Sequence, residues 1–516
     1  MIHFLHNRRP RRQYRGKRHG DEDHGAESLA PESAQYEENN EGEQQQPEYD
    51  HQMSSAPGQP LIIGRNQHSI SRGVIDSDAL KVMYRLLRHG YKAYLVGGGV
   101  RDLLLNRTPK DFDVGTDATP ERVRALFRNS RIIGRRFRIN HVYFPGNKII
   151  EVATFRASGE PEPEGEATGE RKPVTSDNIY GDPASDALRR DLTINGLFYD
   201  ISNFSVIDYV GGVGDLNQRI IRIIGDPETR IREDPVRMIR AIRHAARIGF
   251  VIEPATLEAI CKLAELIQLS PRARVYEEFT RELRGGHARL SFELMIQTGL
   301  LTYLLPSLAE AITRDPEGVT RRLNKVLSEL DEMLANGVDV PLAASFAALL
   351  VGNVTRFDLH DGEAPQADSV PPPPVAQFWA SSPMPSADLY SLPKLPSRSS
   401  RSGRKAEVPP LRAAIDELFL NTGLPRKERE LMECLLVSRY LMLALEPNVE
   451  LASELTNRAY FDQSLLFLRL TAHDETAYHR LVDWEAIHSD ENTLTHRDAK
   501  RKRRRRRRRG RRRGGQ

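Results

Sequence analysis

The sequence predicts an α+β protein: a head built on a small mixed sheet, then a long region that is mainly helical. Three observations carry this. Between about residues 76 and 154, short apolar strands alternate with helical patterns. From about residue 184 onward the ordered stretches follow helical spacing almost throughout. Both ends of the chain are too polar and charged to fold. At 516 residues the chain exceeds the roughly 250–300 residues at which single cores stop growing, so several domains are expected.

Taken in order, residues 1–60 are expected to be disordered. Ser77 or Asp78 can cap a helix whose Leu80, Met83, Tyr84 and Leu87 lie at helical spacing, with Gly90 at its end. Residues 93–96 read as a strand, followed by the turn Gly97-Gly98-Gly99 and a short helix through Leu105. Residues 111–115 form the second expected strand. Thr119 caps and Pro120 opens a helix running to Phe127. Further strands are expected near 131–134, 140–144 and 148–154. The Glu-, Pro-, Gly- and Ser-rich stretch 157–187 reads as a mobile loop.

Strand-like pairs near 205–209 and 220–224 interrupt the helical region. The helix over 235–248 is strongly amphipathic, with Val236, Ile239, Ile242 and Ala246 set against Arg237, Arg240, Arg243 and Arg247. A Pro- and Ser-rich break near 361–410 reads as a flexible insertion.

The formal net charge of +4 conceals segregation: residues 1–18 are basic, 21–50 acidic, and 500–513 almost uninterrupted arginine. Blocks of like charge stay solvated and serve as interaction tails. So much arginine favours a polyanion, with RNA or DNA phosphate the obvious partner. Only two cysteines occur, Cys261 and Cys434, which argues against a disulfide framework or zinc site and for a reducing cytoplasm. No run of about 20 apolar residues suggests a membrane span.

The chemistry concentrates in four places. Asp111 and Asp113 are two residues apart on a strand, so both carboxylates point to one face. Glu151 lies on a later apolar strand, where a carboxylate is costly unless it is paired or binds metal. Two magnesium ions held by such a set would polarise the α-phosphate of a nucleoside triphosphate, help ionise an attacking hydroxyl and neutralise pyrophosphate. Upstream, Gly97 and Gly98 let backbone N–H groups approach a phosphate, and Arg101 and Asp102 follow. A salt bridge is the alternative for Arg101, and a clamp on the triphosphate is the favoured reading.

The third place is the run from Arg189 to Asn195, in which Arg190 suits a phosphate and Asp191 suits a triphosphate, a ribose or a metal. The fourth is Asp234 and Arg237, three apart and expected on one helix face, where they offer acceptors and donors for a base edge. An i,i+3 salt bridge at a helix start is the alternative for that pair.

Together these blocks resemble the class II nucleotidyltransferases, the superfamily of bacterial poly(A) polymerases and tRNA CCA-adding enzymes. The resemblance runs in order over about residues 90–300. It implies a polymerase-β-like nucleotidyltransferase head over 61–205, a neck over 206–275, and a helical body and C-terminal region over 276–480, with disordered ends at 1–60 and 481–516. It also implies that Gly97, Gly98, Arg101, Asp102, Arg190, Asn195, Asp234 and Arg237 bind the nucleotide, that Asp111, Asp113 and Asp191 are catalytic, and that Asp111, Asp113 and Glu151 hold the metal.

The segment around Arg135, Arg136 and Arg138 lacks the His-Gly-Thr usual in CCA-adding enzymes and looks like the poly(A) polymerase version. The block with Tyr460, Phe461, Leu465, Leu466 and Arg469 also looks like that branch. Gly115 stands where Thr is usual. The implied activity is addition of AMP from ATP to RNA 3′ ends, with Mg2+ or alternatively Mn2+, with Arg135, Arg136 and Arg138 on RNA, and in a cytoplasmic monomer associated with RNA-decay proteins. A CCA-adding enzyme and an inactive RNA-binding scaffold are the alternatives.

Overall fold

A computed structural model describes residues 59–134, 138–157, 180–351, 410–444 and 455–488. The expectations for the N-terminal extension, most of the 157–187 loop, the Pro-rich insertion, Arg135, Arg136 and the arginine tail lie outside the described residues.

Apolar alternation in the first part builds an eight-stranded mixed sheet from the described residues: β1 (Leu61–Ile63), β2 (Ala93–Val96), β3 (Asp113–Thr116), β4 (Ser130–Ile133), β5 (Ile139–Phe144), β6 (Lys148–Thr154), β7 (Leu197–Asp200) and β8 (Ser205–Asp208). Their spatial order is β1-β8-β7-β2-β3-β6-β5-β4. Neighbours are antiparallel except β3 and β6, which run parallel with Val114 beside Val152. Because side chains alternate, Leu95, Val114 and Val152 enter a core shared with Val82, Met83 and Leu86 of α1 (Ser77–Arg88). Val96, Phe155, Phe198 and Ile207 form a smaller cluster with Ala187.

Several local expectations shift. The cap of α1 is Asp76, whose Oδ1 accepts from Asp78 N at 2.9 Å and Ala79 N at 3.2 Å. Thr119 caps α3 (Pro120–Leu126) as expected, while α2 (Gly98–Leu104) follows the glycine turn. The helix α4 (Pro183–Arg189) begins inside the stretch read as a loop, with Asp182 at its cap. Strands β1 and β7 add to the expected set, and β8 carries the head sheet to Asp208.

Beyond the sheet come α5 (Gly212–Gln218), β9 (Ile220–Ile221), α6 (Pro227–Glu233), α7 (Val236–Ile248), β10 (Val251–Ile252), α8 (Pro254–Leu263) and α9 (Arg272–Leu283), with helices continuing through Phe461–Thr471. Residues 475–488 are also helical, with Leu481 and Trp484 buried, so the expected disordered end does not begin at 481. β9 and β10 pair in parallel. Val236, Ile239 and Ile242 of α7 are buried, as the periodicity demands, but so are Met238, Ala241 and Ala245. The helix is therefore wrapped on most sides, and its arginines are only half-buried. Among the described residues no helix is long and apolar enough to cross a membrane.

Candidate nucleotide-transfer site

The glycine turn links β2 to α2 and forms one wall of a cleft of about 480 Å³. Gly97 has φ +68°, a region that favours glycine, and a Cβ there would lie 2.9 Å from Arg190 Nη1. Its N–H donates to Leu197 O at 3.0 Å, which ties the turn to β7. Gly98 lies against the Arg101 guanidinium.

The carboxylates come next. Asp113 opens β3, and Asp111, expected on that strand, lies two residues before its start, so strand alternation does not set its direction. Since Val114 pairs with Val152, Asp113 and Glu151 occupy matching positions on the neighbouring parallel strands. Burial, then Glu151 and Asp111, push the Asp113 carboxyl up to about 6, against the opposing pull of Arg190. Glu151 lies 3.3 Å from His141 Nε2 through Oε1 and is half-exposed. Among the described residues no group of three or more His, Cys, Asp or Glu side chains closes into a metal-binding cluster. The donor chemistry nevertheless fits a divalent cation: one partly dry carboxylate is repelled by two others, and a cation would relieve that repulsion.

Behind the turn, Arg101 is buried and fully engaged. Its Nε and Nη2 donate to Asp102 Oδ1 at 2.8 and 2.7 Å, and its Nη1 donates to Asn195 Oδ1 at 2.7 Å. Asp102 also receives Arg247 Nη2 at 3.1 Å. Arg101 Nη1 approaches His244 Nδ1 at 3.3 Å. Burial, then Arg243 and Arg101, hold His244 well below its usual pKa, so the imidazole is neutral. A neutral ring has one acceptor, and the guanidinium fixes it as Nδ1. The 3.5 Å approach of Asn195 Nδ2 to Nε2 is then a contact between donors rather than a hydrogen bond.

Asp191 and Arg190 lie at the junction of α4 with β7. Asp191 accepts from Leu192 N at 2.8 Å, Asn195 Nδ2 at 3.3 Å, and Arg240 Nε and Nη2 at 2.7 and 2.6 Å. Burial alone would raise its carboxyl, but Arg240 and these bonds carry it well below the usual carboxylate range. Arg190 donates to Asp186 at 2.9 and 3.1 Å and to Asn195 O at 3.3 Å, with its guanidinium 5.3 Å from the Phe198 ring centre.

The far wall is α7. Arg237, Arg240, Arg243 and Arg247 line the cleft together with Arg101, Arg189 and Arg190, seven arginines against Asp113, Asp191 and Asp234. Glu278 of α9 holds two of the row, with Oε2 3.1 Å from Arg243 Nε and Oε1 4.0 Å from Arg240 Nη1. Such an excess of fixed positive charge suits a triphosphate.

The expectation that Asp234 and Arg237 share a helix face is not met. Asp234 is an extended residue between α6 and α7, and both its oxygens face Arg274 of α9 at 2.8 Å. Arg237 donates to Glu233 Oε2 at 3.1 Å and Arg230 O at 2.5 Å. Both side chains still line the cleft. Arg138 pairs with Glu121 at 2.6 Å. Arg189 opens the third run and Arg240, Arg243 and Arg247 stand in the arginine row, but the sequence assigns none of them a part in the site, nor His244, Arg274 or Glu278. For α7 the signal was present in the arginine row itself.

Comparison with known proteins adds family context. Residues 93–222 match the family model described as the poly A polymerase head domain, and residues 249–312 match a probable RNA- and SrmB-binding site of polymerase A. The chain is 42% identical over 399 residues to poly(A) polymerase I of Escherichia coli O157:H7, spanning 73% of this chain and 84% of that one. It is 40% identical over 291 residues to poly(A) polymerase I of Haemophilus influenzae, spanning 56% and 64%. A CCA-adding enzyme of Bacillus velezensis is 36% identical over 226 residues, spanning 44% and 55%. Among solved structures, a tRNA-processing enzyme in apo form I has a TM-score of 0.52 at 19% identity, covering 80% of this chain and 91% of that one, a likeness of fold alone.

Proposed function

The chain belongs to the poly(A) polymerase family, and from that premise we propose that it adds AMP from ATP to RNA 3′ ends without a template. The observation that supports this in the chain's own residues is the juxtaposition of Asp113, crowded by Glu151 and Asp111, with an arginine-lined cleft. The RNA 3′-hydroxyl releases its proton to solvent and its oxygen attacks the α-phosphorus of ATP. The bond from that phosphorus to the bridging oxygen breaks, and pyrophosphate leaves with the electron pair. Asp111, Asp113 and Glu151 would hold Mg2+, or Mn2+ in its place, which would supply Lewis-acid polarisation of the α-phosphate and a lowered pKa for the attacking hydroxyl.

Arg190 and the α7 arginines meet the triphosphate, while Arg101 and Asp102 brace the wall behind it. Asp191 acts through Arg240 and Asn195, to which it is bonded. Asp234 and Arg237 take the base edge. RNA is held through phosphate contacts from Arg135, Arg136, Arg138 and the arginine tail, without sequence reading. The free Cys261 and Cys434 fit a reducing cytoplasm. There the enzyme works as a monomer alongside RNA-decay proteins.

The test is incubation of the full chain with labelled ATP, a short unstructured RNA and magnesium. Long A-tails are expected, and the double change Asp111→Ala with Asp113→Ala abolishes them. Incorporation of CMP onto trimmed tRNA, with no A-tails on unstructured RNA, would instead support the CCA-adding alternative that the Bacillus relative raises. RNA affinity should fall steeply with salt, and removal of residues 500–513 should flatten that slope.

A further inference from the structure

A second cavity, of about 300 Å³, lies in the head and shares no lining residue with the cleft. It is lined by Arg65, Ser71, Arg72, Gly73, Tyr199 and Phe204. Both arginines are exposed, and neither forms an ion pair with an acidic side chain among the described residues. Arg65 Nη1 donates to His68 O at 3.3 Å, and Arg72 Nη1 reaches Tyr84 Oη at 3.5 Å, a long contact. The Asp200 carboxylate, next along the chain from Tyr199, accepts from Ser202 N at 2.7 Å.

Two features suggest a built site rather than two stray surface charges. The Tyr199 side chain is buried, yet its hydroxyl has no hydrogen-bond partner among the described residues. A buried O–H left unpaired is costly, and Tyr199 lines the cavity, so an acceptor reaching that hydroxyl would recover what the fold leaves unsatisfied. Phe204 holds φ +60°, an uncommon conformation for a bulky residue, at the turn between β7 and β8. His68 pins it there: Ile70 N donates to His68 Nδ1 at 3.2 Å, so Nε2 carries the proton and donates to Phe204 O at 2.9 Å. The ring so fixed lies under Arg72, whose guanidinium carbon is 5.0 Å from its centre.

We propose that this cavity binds a phosphate group, gripped by Arg65 and Arg72 and capped by the Tyr199 hydroxyl. Its donor set offers two guanidinium forks, a phenol and the Ser71 hydroxyl, and no acidic side chain lines it, which suits a multiply charged oxyanion. The phosphate belongs either to an RNA backbone or to a free ion; the recognising chemistry is the same.

The test is arginine modification of the full chain with phenylglyoxal, read peptide by peptide, so that the cleft arginines are followed separately. Inorganic phosphate or a single-stranded oligoadenylate is expected to slow modification of Arg65 and Arg72 by roughly tenfold. Protection by phosphate marks a free-ion site, and protection by the oligoadenylate alone marks a backbone contact. Tyr199→Phe removes only the hydroxyl, so it should reduce that protection severalfold while the melting temperature of the ligand-free protein stays level or rises. Equal modification with and without both probes overturns the proposal. Protection that persists undiminished in Tyr199→Phe overturns it as well, because the cavity would then be no more than two surface arginines.

Discussion

Arg274 meets Asp234 with two parallel N–H···O bonds of 2.8 Å, one to each carboxylate oxygen, across forty residues of sequence. The fork fixes the plane of the carboxylate at the edge of the cleft, while each oxygen keeps a lone pair for another donor. Arg274 is half-exposed, so the pair adds about 0–1 kcal/mol to stability at most. Its consequence lies in orientation. Arg274→Lys keeps the charge and loses the fork. The preference for ATP over CTP in single-nucleotide addition should fall roughly tenfold, with the melting temperature nearly unchanged. An unaltered preference would mean that Asp234 does not read the base.

Asp113 offers a test that needs no turnover. An aspartate raised to about 6 opposes folding progressively as pH rises from its unfolded value near 4 to about 6, and at a constant level above that. Asp113→Asn should therefore stabilise the metal-free protein at pH 8 by about 1–3 kcal/mol and change little near pH 4. Magnesium should raise the melting temperature of the wild type more than that of Asp113→Asn. Equal stability of the two proteins at pH 8 without metal would show that the carboxylate is not crowded.

What the sequence disclosed was local. The glycine turn, the Asp111–Asp113 spacing and the Arg189–Asn195 run each lie within a few residues, and the structure places all three at one end of the head sheet. What it concealed depends on partners far along the chain. The three-residue strand β1 exists because β8 gives it an edge to pair with. Helical spacing shows that Arg237, Arg240, Arg243 and Arg247 lie on one side of α7, but not whether that side faces water or a cleft. Asp234 and Arg237 are the clearest case. The i,i+3 rule applies inside a helix, and Asp234 lies outside one, followed by Pro235.

Gly115, conspicuous in the sequence because Thr is usual there, has a packing explanation. A Cβ at that position would lie 2.6 Å from Phe155 and 2.9 Å from Val96. Both are buried core side chains with little room to shift. Gly115→Thr should cost about 1–3 kcal/mol in denaturant unfolding. Combining it with Phe155→Leu should cost less than the sum of the single changes, since the smaller side chain frees the space. Strict additivity would show that Phe155 is not the obstacle.

Glu278 tests whether the arginine row must be held as well as present. This buried carboxylate accepts from Arg243 Nε at 3.1 Å and Arg281 Nη1 at 2.8 Å, and so connects α9 to the wall of the cleft. Glu278→Gln keeps the shape and removes the charge that restrains Arg243 and, more distantly, Arg240. The cleft becomes more positive, so the KM for ATP should stay level or fall. The arginines lose their fixed orientation, so kcat should drop roughly tenfold, as expected when preorganised charges are loosened. A rise in KM at constant kcat would instead assign Glu278 a part in nucleotide binding rather than in orienting the groups that meet the phosphates.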